Sequence, residues 1–214
     1  WNPGQLQDLI YDSQPQPETP ETKPETPETK PETPPIENSA NTVFEAEQIE
    51  FSGRKKHIMN LDHNGDLELE EGTIAFTFNA DDVRNTQGLL SKDASGYVGG
   101  GNHLSIMLEG DDLVLRFQDE DSDAYLSLEN IETDKDYDVQ TWFGDGVIGL
   151  AVNGELVATQ DFDFGLDGNK QNLQLGGLGW ASADEGDAVT KAFNGTMTDL
   201  VILDQMIPVS DFIL

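Results

Sequence analysis

From Gly72 to Leu203 the chain alternates apolar and polar residues with a period of two, in short runs separated by turn dipeptides, and this pattern limits the fold more than any other feature. Ile74, Phe76 and Phe78 alternate with Thr73, Ala75 and Thr77. Leu104, Ile106 and Leu108 alternate with His103, Ser105 and Met107, and Leu113, Leu115 and Phe117 with Val114, Arg116 and Gln118. Further short runs lie at 89–91, 125–128, 139–143, 147–152, 156–159, 173–175 and 200–203. Asn64-Gly65, Gly110-Asp111, Asp145-Gly146, Asn153-Gly154 and Asn194-Gly195 are dipeptides that tolerate positive φ and so read as turns. A short helix is expected only at Asp184 to Ala192. Many short strands with regularly spaced turn signals predict an all-β fold, a two-sheet antiparallel β-sandwich.

The pattern has a sharp boundary. Eight of the ten prolines fall between Pro15 and Pro35, where PETPETK occurs twice, at Pro17–Lys23 and Pro24–Lys30. Proline at this density removes backbone donors and favours polyproline II, while Glu, Thr and Lys have nothing to bury. Residues 15–36 therefore read as a disordered, semi-rigid linker, and 37–214 as the folded module. Residues 1–14 are expected to be the end of a preceding domain. Gly4, Asp8 and Leu9 share their spacing with Gly195, Asp199 and Leu200, so this end reads as the last strand of a similar sandwich.

Charge narrows the partners. The chain carries −31, from 42 acidic and 11 basic residues. Seven acids and two lysines precede residue 37, which leaves −26 on the remaining 178 residues. Such a surface repels nucleic acid, and no apolar run is long enough to cross a membrane as a helix. With no cysteine, thiolate metal sites, disulfides and cysteine nucleophiles are excluded.

Four stretches in order resemble the laminin G-like branch of the concanavalin A-like jelly rolls. They are Gly72-Thr-Ile-Ala-Phe-Thr-Phe-Asn79, Gly88-Leu-Leu-Ser-Lys-Asp93, Leu150-Ala-Val-Asn-Gly154-Glu-Leu-Val, and Phe193-Asn-Gly-Thr-Met-Thr-Asp199-Leu-Val-Ile-Leu. The resemblance spans about residues 43–207. It implies a module of a large secreted bacterial protein, of the kind that carries calcium-binding repeats and carbohydrate-active domains.

Enzymes of this fold group place acids on one sheet. Retaining glycanases resembling laminarinase use Glu-x-Asp-x-x-Glu on a strand, and alginate-type lyases use Arg-x-Glu, Gln-x-His and Tyr-x-Lys strands; none of these motifs occurs here. The segment Asp62-His-Asn64-Gly-Asp66 mimics an EF-hand loop, but Leu67 stands where glycine is needed and Thr73 where glutamate is. Other acidic runs, such as Asp119-Glu-Asp121-Ser-Asp123, read as solvated turns. What the resemblance implies instead is structural calcium at Asp199 with Glu45 or Glu47 and Gly53, and rim calcium at Asp93 and Asn102 beside the loop 94–101. Calcium is thus the expected cofactor.

A sugar needs an aromatic platform beside planar polar groups, because a pyranose has an apolar face and a hydroxyl rim. Tyr97, His103, Arg116, Gln118 and Trp180 are the candidates, with Arg116 and Gln118 on the polar face of one strand. The expectation is a secreted, non-catalytic carbohydrate-binding module for a polysaccharide or cell-surface glycan, neutral or bridged by calcium. The alternatives are a module that adheres to extracellular proteins and a plain spacer.

Overall fold

A computed structural model describes residues 40–94, 100–179 and 191–209. The chain divides into a unit at Trp1–Asn38 and a second at Ser39–Leu214, to which all the described residues belong. The expected linker and N-terminal strand lie outside the described residues, as does most of the helix expected at 184–192.

Among the described residues there are twelve strands: β1 Thr42–Ser52, β2 Met59–Leu61, β3 Gly72–Ala80, β4 Gln87–Lys92, β5 His103–Glu109, β6 Asp112–Gln118, β7 Asp123–Leu128, β8 Asp136–Gly144, β9 Val147–Val152, β10 Glu155–Asp161, β11 Leu173–Leu175 and β12 Asn194–Leu203. They build two six-stranded sheets. Sheet A has the order β1-β12-β3-β8-β9-β10 and sheet B the order β2-β11-β4-β5-β6-β7. All the strand pairings are antiparallel, so the chain is the expected two-sheet β-sandwich.

The core follows from the alternation. Ile74, Phe76 and Phe78 of sheet A face Leu104, Ile106, Leu115 and Phe117 of sheet B, all of them buried. Phe164, in the connection after β10, closes one end of the interior. Its ring meets Phe117 at 5.1 Å and Phe143 at 5.4 Å, both edge-on, and so touches both layers. Two of the expected turns are tight hairpins with positive φ at both central residues, Asp145-Gly146 and Asn153-Gly154, the geometry that matches strand twist.

One turn expectation is corrected, and a second takes a 3-10 form. Asn194-Gly195 lies inside β12, and the glycine is there for space: a Cβ on Gly195 would fall 2.1 Å from the Asn79 carbonyl oxygen. Asn64-Gly65 opens a 3-10 turn, with the Asn64 side chain accepting a hydrogen bond from Asp66 N at 2.9 Å.

One irregularity bears on function. Asp199 has φ +54, and β12 gains a residue relative to β3 between Thr198 and Val201. Met197 and Leu200 both face the core as a result, and on β1 the paired Ile49 and Ala46 switch sides with them. Beyond β12 the chain folds back across the outer face of sheet A. Thr73 Oγ1 donates to Gln205 O at 2.7 Å and accepts from Ile207 N at 2.8 Å, while Gln140 Nε2 donates to Ile207 O at 2.7 Å.

Candidate functional site

The outer face of sheet B carries polar residues in register. Asn60, Gln174, Ser91, Ser105, Arg116 and Tyr125 are successive cross-strand partners from β2 to β7 and form one row across the sheet. His103, Gln118 and Asp123 form the next row, with Asp93 beside His103, and Gly88, Met107 and Val114 an apolar row on the other side. Alternation produces this arrangement, because every second residue of β5, β6 and β7 points outward.

The β4 and β5 half of the face is closed. Ser91, Ser105 and His103 are fully buried and Asp93 is 2% exposed. Ser91 Oγ donates to Gln174 Oε1 at 2.9 Å, Gln174 Nε2 donates to Asn60 Oδ1 at 3.1 Å, and Gly179 N donates to Ser91 Oγ at 3.1 Å. Asp93 takes a hydrogen bond from Ser105 Oγ at 2.7 Å and has His103 Nδ1 at 2.9 Å and Arg116 Nη1 at 3.7 Å. Ser105 and Arg116 thus face its Oδ2, giving the buried carboxylate one hydrogen bond and a cationic neighbour.

The β6 and β7 half is open. Tyr125 is 52% exposed, and its hydroxyl donates to Asp123 Oδ2 at 3.2 Å. Partial burial first, and then the Asp123 carboxylate, push the phenol above its ordinary pKa, so it stays a neutral donor. Arg116 lies beside it, with Nη2 donating to Gln118 Oε1 and Nε 3.6 Å from Asp123 Oδ1. The guanidinium is thus held in position between two carboxylates, Asp93 and Asp123, by contacts too long to use up its donors.

Behind the face, Asn169 ties down the stems of the loop 94–101. Its Nδ2 donates to Lys92 O at 2.9 Å and to Asn102 O at 2.6 Å, and its Oδ1 accepts from Gln171 N at 2.8 Å and Lys92 Nζ at 3.2 Å. Lys92 is almost fully buried, and its Nζ also donates to Asn169 O at 2.5 Å and Gln171 O at 3.0 Å. Burial lowers the lysine pKa to about 8, against the smaller opposing pull of Glu68.

The structure brings together four of the expected residues, His103, Arg116, Gln118 and Asp93, and sets Asn102 at the adjoining loop stem. Tyr97 and Trp180 lie outside the described residues. Asp93, expected as a calcium ligand, is buried: its Oδ2 accepts from Ser105 and faces Arg116, while its Oδ1 lies beside the His103 ring. Glu45, Glu47 and Asp199 share a recess where β1 pairs with the bulged part of β12. Gly53 is not with them: it lies beyond the end of β1, beside Asn194 and six residues past Glu47, or about 20 Å along an extended strand. Among the described residues no three His, Asp or Glu side chains converge as a metal cage.

Tyr125 and Asp123 were missed, although Asp123, Tyr125 and Ser127 alternate with Ala124, Leu126 and Leu128 and so share the Arg116 face. For the pinning role of Asn169 the sequence holds no signal, since its partners lie 67 and 77 residues away.

No protein-family model and no curated protein matches the chain. Solved structures do. The Ruminococcus gnavus IT-sialidase CBM40 bound to α2,3-sialyllactose is similar with a TM-score of 0.65 and 19% identity, over 79% of this chain and 96% of that one. The NanB sialidase K499G mutant from Streptococcus pneumoniae is similar with a TM-score of 0.65 and 15% identity, over 81% of this chain but only 28% of that one. A SAP-like pentraxin from Limulus polyphemus is similar with a TM-score of 0.54 and 18% identity, over 76% and 77%. At these identities the likeness establishes the concanavalin-like sandwich fold.

Proposed function

We propose that this module binds saccharide on the open half of the sheet B face, with Tyr125, Arg116, Gln118 and Asp123 as the contact residues. The observation that carries the reading is the exposed Tyr125 ring standing in one cross-strand row with Arg116, next to a row holding Gln118 and Asp123. An aromatic face takes the C–H side of a pyranose, while the amide, guanidinium and carboxylate take its hydroxyl rim. The likeness to a CBM40 solved with sialyllactose supports a sugar ligand. Charge separates the two cases: Arg116 is flanked by two carboxylates and the module carries −26, so a neutral glycan fits better than a carboxylated one.

The module is non-catalytic in this reading. Asp93, the acid nearest Arg116 on the closed side, is shut away from solvent and engaged by Ser105 and His103, leaving Asp123 without an accessible partner acid across a sugar. Secretion and a modular parent protein of laminin G-like type belong to the same proposal, supported by the Pro-Glu-Thr-Lys segment and the order of the four sequence motifs. Calcium belongs to the proposal too, at the recess of Asp199 with Glu45 or Glu47, two acids and not a cage of three, and at the loop stem of Asp93 and Asn102; the first is the one a chelator tests. A melting temperature that falls with chelator, and no longer does so in Asp199→Asn, supports it; a chelator-insensitive melt ends it.

A glycan array followed by calorimetry tests the sugar reading. Tyr125→Ala and Arg116→Ala are each expected to weaken the best neutral ligand by about tenfold or more, since loss of one stacked ring or one charged donor is worth roughly 1–2 kcal/mol. Sialylated glycans binding more tightly than their neutral cores would refute the charge argument. Unchanged affinity in both variants would refute the site.

A further inference from the structure

A second recess lies on the other layer of the sandwich, on the outer face of sheet A. Its volume is about 340 Å³, at the small end of the roughly 300–1,000 Å³ range of small-molecule pockets. The floor exists because small residues flank β8: Ala75 on β3 and Ala151 on β9 are the cross-strand partners of Gln140 on either side. The C-terminal return from β12, pinned to Thr73 and Gln140, brings Val209 to one wall, and the β12 bulge brings Asp199 to the rim.

Acceptors predominate among the polar groups of this recess. Gln140 is 7% exposed, one N–H of its Nε2 donates to Ile207 O, and among the described residues its Oε1 has no hydrogen-bond partner. Asp138 is oriented by Thr77 Oγ1, which donates to its Oδ1 at 2.7 Å and leaves Oδ2 for a ligand. Asp199 adds a second exposed carboxylate. An amide oxygen and two carboxylates over an apolar floor call for a ligand that brings donors and positive charge on a compact carbon frame. A bare divalent cation fits poorly, because its oxygens must close in to roughly 2.3–2.6 Å, whereas this recess is wide and walled by Ala75, Ala151 and Val209.

We propose that the sheet A recess is a second ligand site that takes a protonated amine on a body of monosaccharide size, an amino sugar with a free ammonium. The ammonium sits against Asp138, Asp199 and Gln140 Oε1, and the ring lies over Ala75 and Ala151. The site is independent of the sheet B reading. A module with both would engage two sugars from opposite faces and gain avidity on a mixed polymer.

Titration of the 214-residue chain with glucosamine, N-acetylglucosamine, glucose and calcium chloride, followed by NMR, decides it. Glucosamine is expected to shift the Ala75 and Ala151 signals, with binding that weakens as salt rises. Acetylation of the amine, Asp138→Asn and Asp199→Asn are each expected to weaken it by about tenfold, the worth of one charge-assisted hydrogen bond. Asp199 is exposed and asparagine tolerates positive φ, so Asp199→Asn keeps the test valid if Asp138→Asn unfolds. Equal affinity for glucosamine and N-acetylglucosamine, shifts confined to sheet B, or tighter binding of calcium at Ala75 and Ala151 would each overturn the proposal.

Discussion

Replacing Asn169 by alanine tests how the face is held. The side chain is fully buried and makes four hydrogen bonds, to Lys92 O, Asn102 O, Gln171 N and Lys92 Nζ. Alanine leaves two carbonyls and one amide without their partner, while the Lys92 ammonium keeps Asn169 O and Gln171 O. At about 1–1.5 kcal/mol for each group left unsatisfied, the cost is about 3–5 kcal/mol. That is a large share of the roughly 5–15 kcal/mol that holds a domain together, and it lowers the melting temperature by about 10 °C. Urea unfolding followed by circular dichroism measures it, with the expected loss in ΔG and an unchanged m-value. Asn172→Ala is the control: its side chain accepts one hydrogen bond, from His63 N, and the cost should stay near 1 kcal/mol. A loss below about 1 kcal/mol in Asn169→Ala, or one equal to the control, would refute the claim that Asn169 joins the two loop stems.

Lys92 makes stability depend on alkaline pH. Its pKa falls from 10.5 in the unfolded chain to about 8 in the folded one, so between these values the unfolded state holds the extra proton and stability rises with pH. The rise is at most about 3 kcal/mol, and subtracting the pH profile of Lys92→Met isolates it; a difference that is flat or falls from pH 8 to 10 contradicts the burial of the ammonium. Gly149→Ala places a methyl 2.1 Å from the Trp142 indole, which is 3% exposed over β9. The indole must leave its place, at a cost of about 2–3 kcal/mol and with a red-shifted tryptophan emission; unchanged emission and stability contradict this packing.

Much of the architecture was legible in the chain because alternation encodes it directly. Leu104, Ile106 and Leu108 against His103, Ser105 and Met107 assign the two faces of β5, and Arg116 with Gln118 assigns the polar face of β6. β1 escaped notice because its alternation reverses between Ala46 and Ile49, where β12 bulges at Asp199. The site was legible only by strand and not by row. His103, Arg116 and Gln118 could be placed on one face from local sequence, but their union with Asp93, Asp123 and Tyr125 depends on cross-strand register, which long-range pairing sets. The same limit explains Gly53. It neighbours Glu45 and Glu47 in sequence, yet the extended backbone of β1 carries it well away from them.

The claim on which the account rests is that the outer face of sheet B, at β6 and β7, meets the ligand. Backbone amide shifts recorded during titration with the tightest neutral oligosaccharide test it most directly. The account predicts that the largest changes fall at Arg116, Gln118, Asp123 and Tyr125, with the inward Leu115 and Leu126 much less affected. Changes centred on any other surface, with these four unmoved at saturation, would contradict it.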